Sequence, residues 1–162
     1  MTVYQLDECI NSKRFASDCE ANAAVRVWRY PNSLRGRGAS DAEMLATLLQ
    51  KGNPILTTDL RLLSEWSDQI PDVHPGIVVV GHTPLQERFV RRVLAHVKSG
   101  IPGWASIPIS NSILTISEVG VEVHRVHAGV TMRIGRVEFN DSTWSHTLLA
   151  LLRANQEDAP ET

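Results

Sequence analysis

Three aspartates stand where this 162-residue chain passes between strand-like and helix-like segments. Asp7 closes the β-prone run Val3 to Leu6, Asp59 closes the run Ile55 to Thr58, and Asp41 opens the helical pattern that leads into that second run. In an open parallel sheet, ligands bind beyond the carboxyl ends of the strands, so acids placed there converge although they are distant in sequence. Carboxylates gathered in this way repel one another, and a hard divalent cation with oxygen ligands, Mg²⁺ or Mn²⁺, relieves the repulsion. A cation so held orients a water and stabilises charge on a phosphodiester. Glu8 and Glu43 are further candidate ligands. Glu8 follows Asp7 directly, and neighbouring strand residues point oppositely, so at most one of the two faces the site if the strand persists. Each acid also has a purely structural reading: Asp7 and Asp59 as helix caps, Asp41 as a first-turn residue favoured by the helix dipole, Glu43 as the end of a capping box begun by Ser40.

The elements that must position these residues follow an alternating rhythm. Val3–Leu6 predicts a strand, Ser12 to Asn22 a helix with Phe15, Ala16 and Cys19 on one side, and Ala24 to Trp28 a second strand. Pro31 to Gly38 is a loop carrying Arg35 and Arg37, and the helix opened by Ser40 buries Met44, Leu45, Leu48 and Leu49 before Gly52 ends it. Ile55–Thr58 is the next strand, Leu60 to Trp66 a short helix, and Ile77-Val78-Val79-Val80 a strand apolar enough to be covered on both faces. Thr83-Pro84-Leu85-Gln86 opens a helix running to about Lys98, with Thr83 and Gln86 as a capping box and Pro84 at the first helical position. This order predicts an α/β fold of parallel strands joined by right-handed crossovers. Beyond Pro102 the pattern changes to an antiparallel meander, Ile113–Ile116, Val119–Val126 and Val130–Phe139, with a tight turn at Gly120 and a closing helix from Ser142 to Arg153.

The stretch from Ser40 through Asp59, with an Asp opening a helix, Gly52, a strand, and then Thr57-Thr58-Asp59, resembles the signature of PIN-like ribonucleases. Leu6-Asp7-Glu8 resembles the acid-tipped first strand of the same family, and the early arrival of the signature resembles its compact branch, related to VapC-type toxins. The resemblance spans about Val3 to Val126. It implies a three-layer α/β/α fold with a mainly parallel central sheet, a Mg²⁺ or Mn²⁺ ion, and endonucleolytic cleavage of RNA, often restrained by a cognate antitoxin. Asp7, Asp41 and Asp59 match the acid positions of the family, and Thr57 matches the hydroxyl residue before the last acid. The family carries one more acid on a helix between the first strand and this signature, where the present chain has Asp18 and Glu20 outside any motif; Glu8 or Glu43 would have to substitute. The domain plan is then a nuclease unit over residues 1–126, a strand-and-helix extension over 127–156, and a disordered acidic tail over 157–162.

Composition bounds the partners. The formal charge is −2, from 16 basic and 18 acidic residues, so no whole-molecule field announces a nucleic-acid binder. Thirteen of the bases are Arg, the residue suited to bidentate phosphate contacts. Arg35 and Arg37, just before Asp41, are expected to hold RNA phosphates, whereas Arg88, Arg91 and Arg92 read as a solvated helix surface. No apolar run reaches the roughly 20 residues of a membrane span, the first residues do not read as a secretory signal, and two cysteines make no disulfide scaffold; a cytoplasmic location is expected. Trp66 and Trp144 fall on apolar helix faces and are expected in the core, and His124 and His127 alone make no zinc site. A Gly-x-Ser-x-Gly elbow and a P-loop are both missing. A phosphoacceptor receiver domain also places acids at strand ends, but it requires a Lys after its last core strand, and Gly81-His82-Thr83-Pro84 supplies none. A non-catalytic PIN-like module binding RNA or protein is the third reading. Apolar residues after Val126 (Met132, Ile134, Val137, Phe139, Leu148, Leu149, Leu152) require burial, so that segment is expected to cover a sheet edge or pair with a second copy as a homodimer.

Overall fold

The computed structural model describes residues 3–6, 13–23, 26–28, 54–58, 64–65, 67–81, 83–99 and 109–157. Seven strands form one sheet in the order β2-β1-β3-β4-β5-β6-β7: β1 (Val3–Leu6), β2 (Arg26–Trp28), β3 (Ile55–Thr57), β4 (Ile77–Val80), β5 (Ile113–Ile116), β6 (Gly120–His127) and β7 (Val130–Glu138). The first five are mutually parallel where they pair, and β6 and β7 are antiparallel additions. The fold is therefore α/β with a mixed sheet. Ile113–Ile116 opens the antiparallel meander as expected, but it also pairs parallel with β4, so meander and parallel core are one continuous sheet.

Three α-helices lie among the described residues: α1 (Lys13–Asp18), which continues as a π-helical turn through Cys19–Ala23, α2 (Pro84–Ser99) and α3 (Trp144–Glu157). Their apolar positions recur at helical spacing. Val90, Val93, Leu94 and Val97 of α2, and Leu148 and Leu152 of α3, are fully buried, each contributing about 1.5–3 kcal/mol in gross apolar transfer. They pack with Phe15, Ala16 and Cys19 of the α1 segment onto one face of the sheet, against Tyr4, Leu56, Val78, Leu114, Val121, Val123 and Val137. The opposite face of β3, β4 and β5 is buried as well, through Ile55, Ile77, Val79 and Ile113. That burial on both sides accounts for the unbroken Ile-Val-Val-Val run.

One expectation about handedness fails. α1 bridges the step β1 to β2 and α2 the step β4 to β5, and these steps run in opposite directions across the sheet. Two right-handed crossovers would put the helices on opposite faces. They share one face instead, joined by the Arg91–Asp18 ion pair at 3.0 Å.

The start of α2 realises the capping reading in altered form. The Gln86 backbone N–H donates to Thr83 Oγ1 at 3.2 Å, and the Thr83 hydroxyl donates to Gln86 Oε1 at 3.0 Å, so the two side chains bond each other. The helix predicted over residues 12–22 becomes α1 and its π-helical continuation. Gly120 is the first residue of β6, and its role is space: a Cβ there would fall on the carbonyl oxygen of Val137. It also closes the tight β5–β6 turn, its carbonyl accepting the Ser117 N–H at 2.9 Å. A second tight turn lies at Ala128 and Gly129, where φ is +50° and +79°, the conformation of a two-residue hairpin loop. The hairpin tip is held from outside, its Ala128 N–H donating to Asp72 Oδ1 at 2.9 Å and His127 Nδ1 lying 3.2 Å from Asp72 Oδ2.

The segment after Val126 covers the edge of β6, as expected. By pairing with β6 it extends the sheet, and β7 becomes the new edge. A register shift at Ile134 and the charges of Arg133 and Arg136, paired with Glu122 and Glu138, guard it. Val137 and Leu148 are buried, whereas Val130 and Met132 are exposed.

The amino ends of the parallel strands are tied by a buried polar network. The His74 N–H donates to Asn111 Oδ1 at 3.0 Å, and the Asn111 N–H returns a bond to the His74 carbonyl at 2.8 Å. The Gly76 N–H donates to His74 Nδ1 at 3.2 Å, and Asn155, near the end of α3, donates to the Asn111 carbonyl at 2.8 Å and to Ser112 Oγ at 2.7 Å. Asn111 has φ +64°, a left-handed conformation that Asn tolerates better than most residues.

Candidate functional site

The parallel strands follow the order 2-1-3-4-5, in which the direction of travel across the sheet reverses between β1 and β3. From β1 the chain steps outward to β2, and from there it crosses to β3 and continues the other way. The crevice beyond the carboxyl ends of strands at such a switch point is the expected ligand position. β1 and β3 pair there in register, Gln5 with Ile55 and Leu6 with Leu56, so β3 ends one residue beyond the end of β1. In sequence, Asp7 and Glu8 directly follow Leu6, and Asp59 stands two residues beyond Thr57.

Asp7, Glu8, Arg35, Arg37, Asp41, Glu43 and Asp59 themselves lie outside the described residues. Thr57 lies within them: it ends β3, pairs with Val79 of β4 and is 1% exposed. Next along the same end of the sheet, Gly81 follows β4 and is overlain by the side chain of Gln86, which leaves no room for a Cβ. Gln86 is thus a polar group at the carboxyl end of β4, and its signal in the sequence was the capping pattern Thr83-x-x-Gln86. Among the described residues no group of three or more Asp, Glu, His or Cys side chains is arranged to hold a metal ion. No described helix is long and apolar enough to cross a membrane.

Elsewhere in the fold, burial governs several titratable groups. His124 is half-buried, and burial lowers its imidazole below the ordinary value although Glu122, 3.5 Å away, pulls upward. His127 is bound to Asp72, and at a spacing of three along the strand the two rings leave opposite sides of β6. Burial pushes the Cys19 thiol up to about 12, which removes its nucleophilic form near neutrality. The Tyr4 phenol is pushed upward by complete burial in the same way. Trp144 is half-buried as expected: Phe139 meets it edge-on at 5.0 Å, and His96, whose Nε2 donates to the Ser145 carbonyl at 3.1 Å, lies 5.5 Å from it. Trp66 lies outside the described residues.

No family model matches the chain, and no curated protein or solved structure is significantly similar to it.

Two of the surface hollows are lined by described residues. One, of about 320 Å³, lies at the β5–β6 turn and is lined by Glu118, Val119, Arg136, Glu138, Phe139 and Asn140. In sheet order it is separated from the β1–β3 pair by β4 and β5. The other, of about 280 Å³, is lined by Arg88, Arg91, Arg92 and Ala95 on α2.

Proposed function

We propose that this protein is a divalent-metal-dependent endoribonuclease of PIN-like type, acting as the toxin of a toxin–antitoxin pair. One observation carries the reading: β1 and β3, the strands followed by Asp7 and Asp59, are adjacent and parallel and end within one residue of each other at the point where the sheet order reverses. Acids leaving two such neighbours meet in one crevice. Asp41, at the start of the segment that feeds β3, is the third member, with Glu8 and Glu43 as auxiliary acids.

The donor set is entirely carboxylate oxygen, which suits Mg²⁺ or Mn²⁺ and not a softer ion. Asp7, Asp41 and Asp59 would hold that ion, which when bound supplies an oriented water and charge stabilisation for phosphodiester hydrolysis. Thr57, buried at the end of β3, fixes the backbone from which Asp59 departs. Arg35 and Arg37 hold backbone phosphates and leave base identity unread. The proposed partners are RNA and a cognate antitoxin protein, with a second copy of the chain across the exposed Val130 and Met132 of β7.

The same strand order occurs in phosphoacceptor receiver domains, and it favours that second reading as far as order alone can. The surroundings of the last parallel strand favour the nuclease reading. β5 is followed by Ser117-Glu118-Val119, with no Lys, and by an antiparallel strand in place of a helix.

Mn²⁺ titration by calorimetry tests the site. A single site should appear in the wild type and weaken in Asp7→Asn and in Asp59→Asn, each with unchanged circular dichroism. Equal binding by all three proteins would exclude a shared carboxylate site.

A further inference from the structure

We infer that the outer face of α2 is a phosphate-binding track for single-stranded RNA, formed by Arg88 and Arg92; this rests on the ribonuclease reading. The two residues are four apart on one helix, so they stand one above the other on one side, about 6 Å apart along the axis. That interval is comparable to the step between successive phosphates of an extended strand. Both side chains are exposed, and among the described residues neither pairs with a carboxylate. Arg91, between them in sequence, differs: it is half-buried and neutralised by Asp18 at 3.0 Å.

The two guanidinium groups are also held in place. Their carbon atoms lie 6.0 Å (Arg88) and 5.3 Å (Arg92) from the centre of the Phe89 ring. Phe89 is itself stacked on Phe139 at 4.5 Å and 11°, and Phe139 abuts Trp144. A cation over an aromatic face keeps its in-plane N–H donors available, so the stack orders the forks without consuming their hydrogen-bonding capacity. Restricting a long side chain beforehand reduces the entropy lost on binding. Beside the pair lies the hollow of about 280 Å³ bounded by Arg88, Arg91, Arg92 and Ala95.

Position links this face to the proposed active crevice. α2 begins at Pro84, four residues after β4 ends, so it starts from the carboxyl end of the sheet, where Asp7 and Asp59 leave β1 and β3. Arg88 is near that end and Arg92 one turn farther along. A strand whose scissile phosphate sits in the crevice can continue over these residues.

The test is fluorescence anisotropy of a labelled single-stranded RNA of mixed sequence with the full chain, in chelator so that nothing is cleaved, from 50 to 200 mM KCl. Two phosphate contacts on a single strand contribute about 1.4 to the slope of log affinity against log salt. Over this fourfold range the wild type should therefore lose about sevenfold more affinity than Arg88→Gln/Arg92→Gln. The Arg88→Lys/Arg92→Lys protein should keep the wild-type slope, and Arg153→Gln, on α3, should not alter it. Should the double Gln variant fail to fold by circular dichroism, Arg92→Gln alone should remove about half of the slope difference.

Coincident slopes for wild type and Gln variant, or no RNA binding by the wild type, overturn the inference. So does binding of an oligoglutamate at this face in place of RNA, which would assign it to an acidic protein partner. The two readings separate cleanly. Metal-dependent cleavage with coincident slopes leaves the nuclease and removes the track, whereas the slope difference without cleavage leaves the track and removes the nuclease.

Discussion

His74 makes acid stability a sharp test of the packing at the amino end of the sheet. Its ring is 4% exposed, and burial lowers its imidazole from the ordinary 6.5 to about 4. In the folded chain the neutral ring accepts the Gly76 N–H at Nδ1, a bond that protonation would abolish. The sign follows from which state binds the proton. Between pH 6.5 and about 4 the unfolded chain is protonated and the folded chain is not, so stability is full above pH 6.5 and falls as pH drops. The loss is about 2–3 kcal/mol by pH 4.5 and levels off at about 3 kcal/mol once the folded state also takes up the proton. Against the roughly 5–15 kcal/mol typical of a domain, this is readily measured. The perturbation that isolates it is His74→Asn, whose side-chain oxygen can still accept an N–H two residues on but does not titrate. Urea unfolding followed by tryptophan fluorescence, at four values from pH 7.5 to 4.5, gives the difference between the two proteins. The wild type should be the more stable at pH 7.5 because the smaller side chain leaves a void, and its advantage should shrink by about 2–3 kcal/mol by pH 4.5. His124, lowered by burial in the same direction, is present in both proteins and cancels. Parallel stability curves, or a widening gap on acidification, would refute the argument.

The glycines of the β6–β7 pair should respond unequally. In Gly120→Ala the new methyl meets the Val137 backbone carbonyl, which cannot yield, and a loss of about 2–3 kcal/mol in urea unfolding is expected; in Gly135→Ala it meets the tips of Leu151, which can rotate, and the loss should stay under about 1 kcal/mol. Equal costs would show that the sheet accommodates both. At the start of α3, bonds from the Thr143 N–H at 2.9 Å and hydroxyl at 2.8 Å hold the Asp141 carboxyl below its usual range. Its stabilisation is present at neutral pH and lost as pH falls through that lowered range, so Asp141→Ala should lower Tm at pH 7 and match the wild type in strong acid. A Tm difference independent of pH would remove the carboxylate from the cap.

Much of the scaffold was legible because its elements are locally encoded. Ile77–Val80 is too apolar for any place but a doubly covered strand, and Thr83-Pro84 with the Val90, Val93, Leu94 and Val97 spacing fixes one end and the buried face of α2. The failures are non-local. Nothing within Ile113–Ile116 says that it pairs parallel with β4 on one side and antiparallel with β6 on the other. Nor does any local pattern say that α1 and α2 share a face. The His74–Asn111–Asn155 network joins residues 37 and 44 positions apart, and single polar residues carry no periodic signal of such a meeting. At the candidate site, Asp7 and Asp59 were identifiable from their places after two strand-like runs. The pairing of those strands came only from the sheet. Arg88, Arg91 and Arg92 read as one solvated surface, but the Asp18 partner and the Phe89–Phe139 stack give Arg91 a different environment from its neighbours.

The central claim is that acids leaving β1 and β3 support RNA cleavage, and the most direct measurement is Mn²⁺-dependent cleavage of a mixed RNA pool by the wild type and by Asp59→Asn at equal concentration. Cleavage by the wild type that disappears in chelator and falls to background in Asp59→Asn, with RNA binding retained, is the predicted result. A wild type that leaves the pool intact, or a variant that cleaves as fast as the wild type, would contradict it.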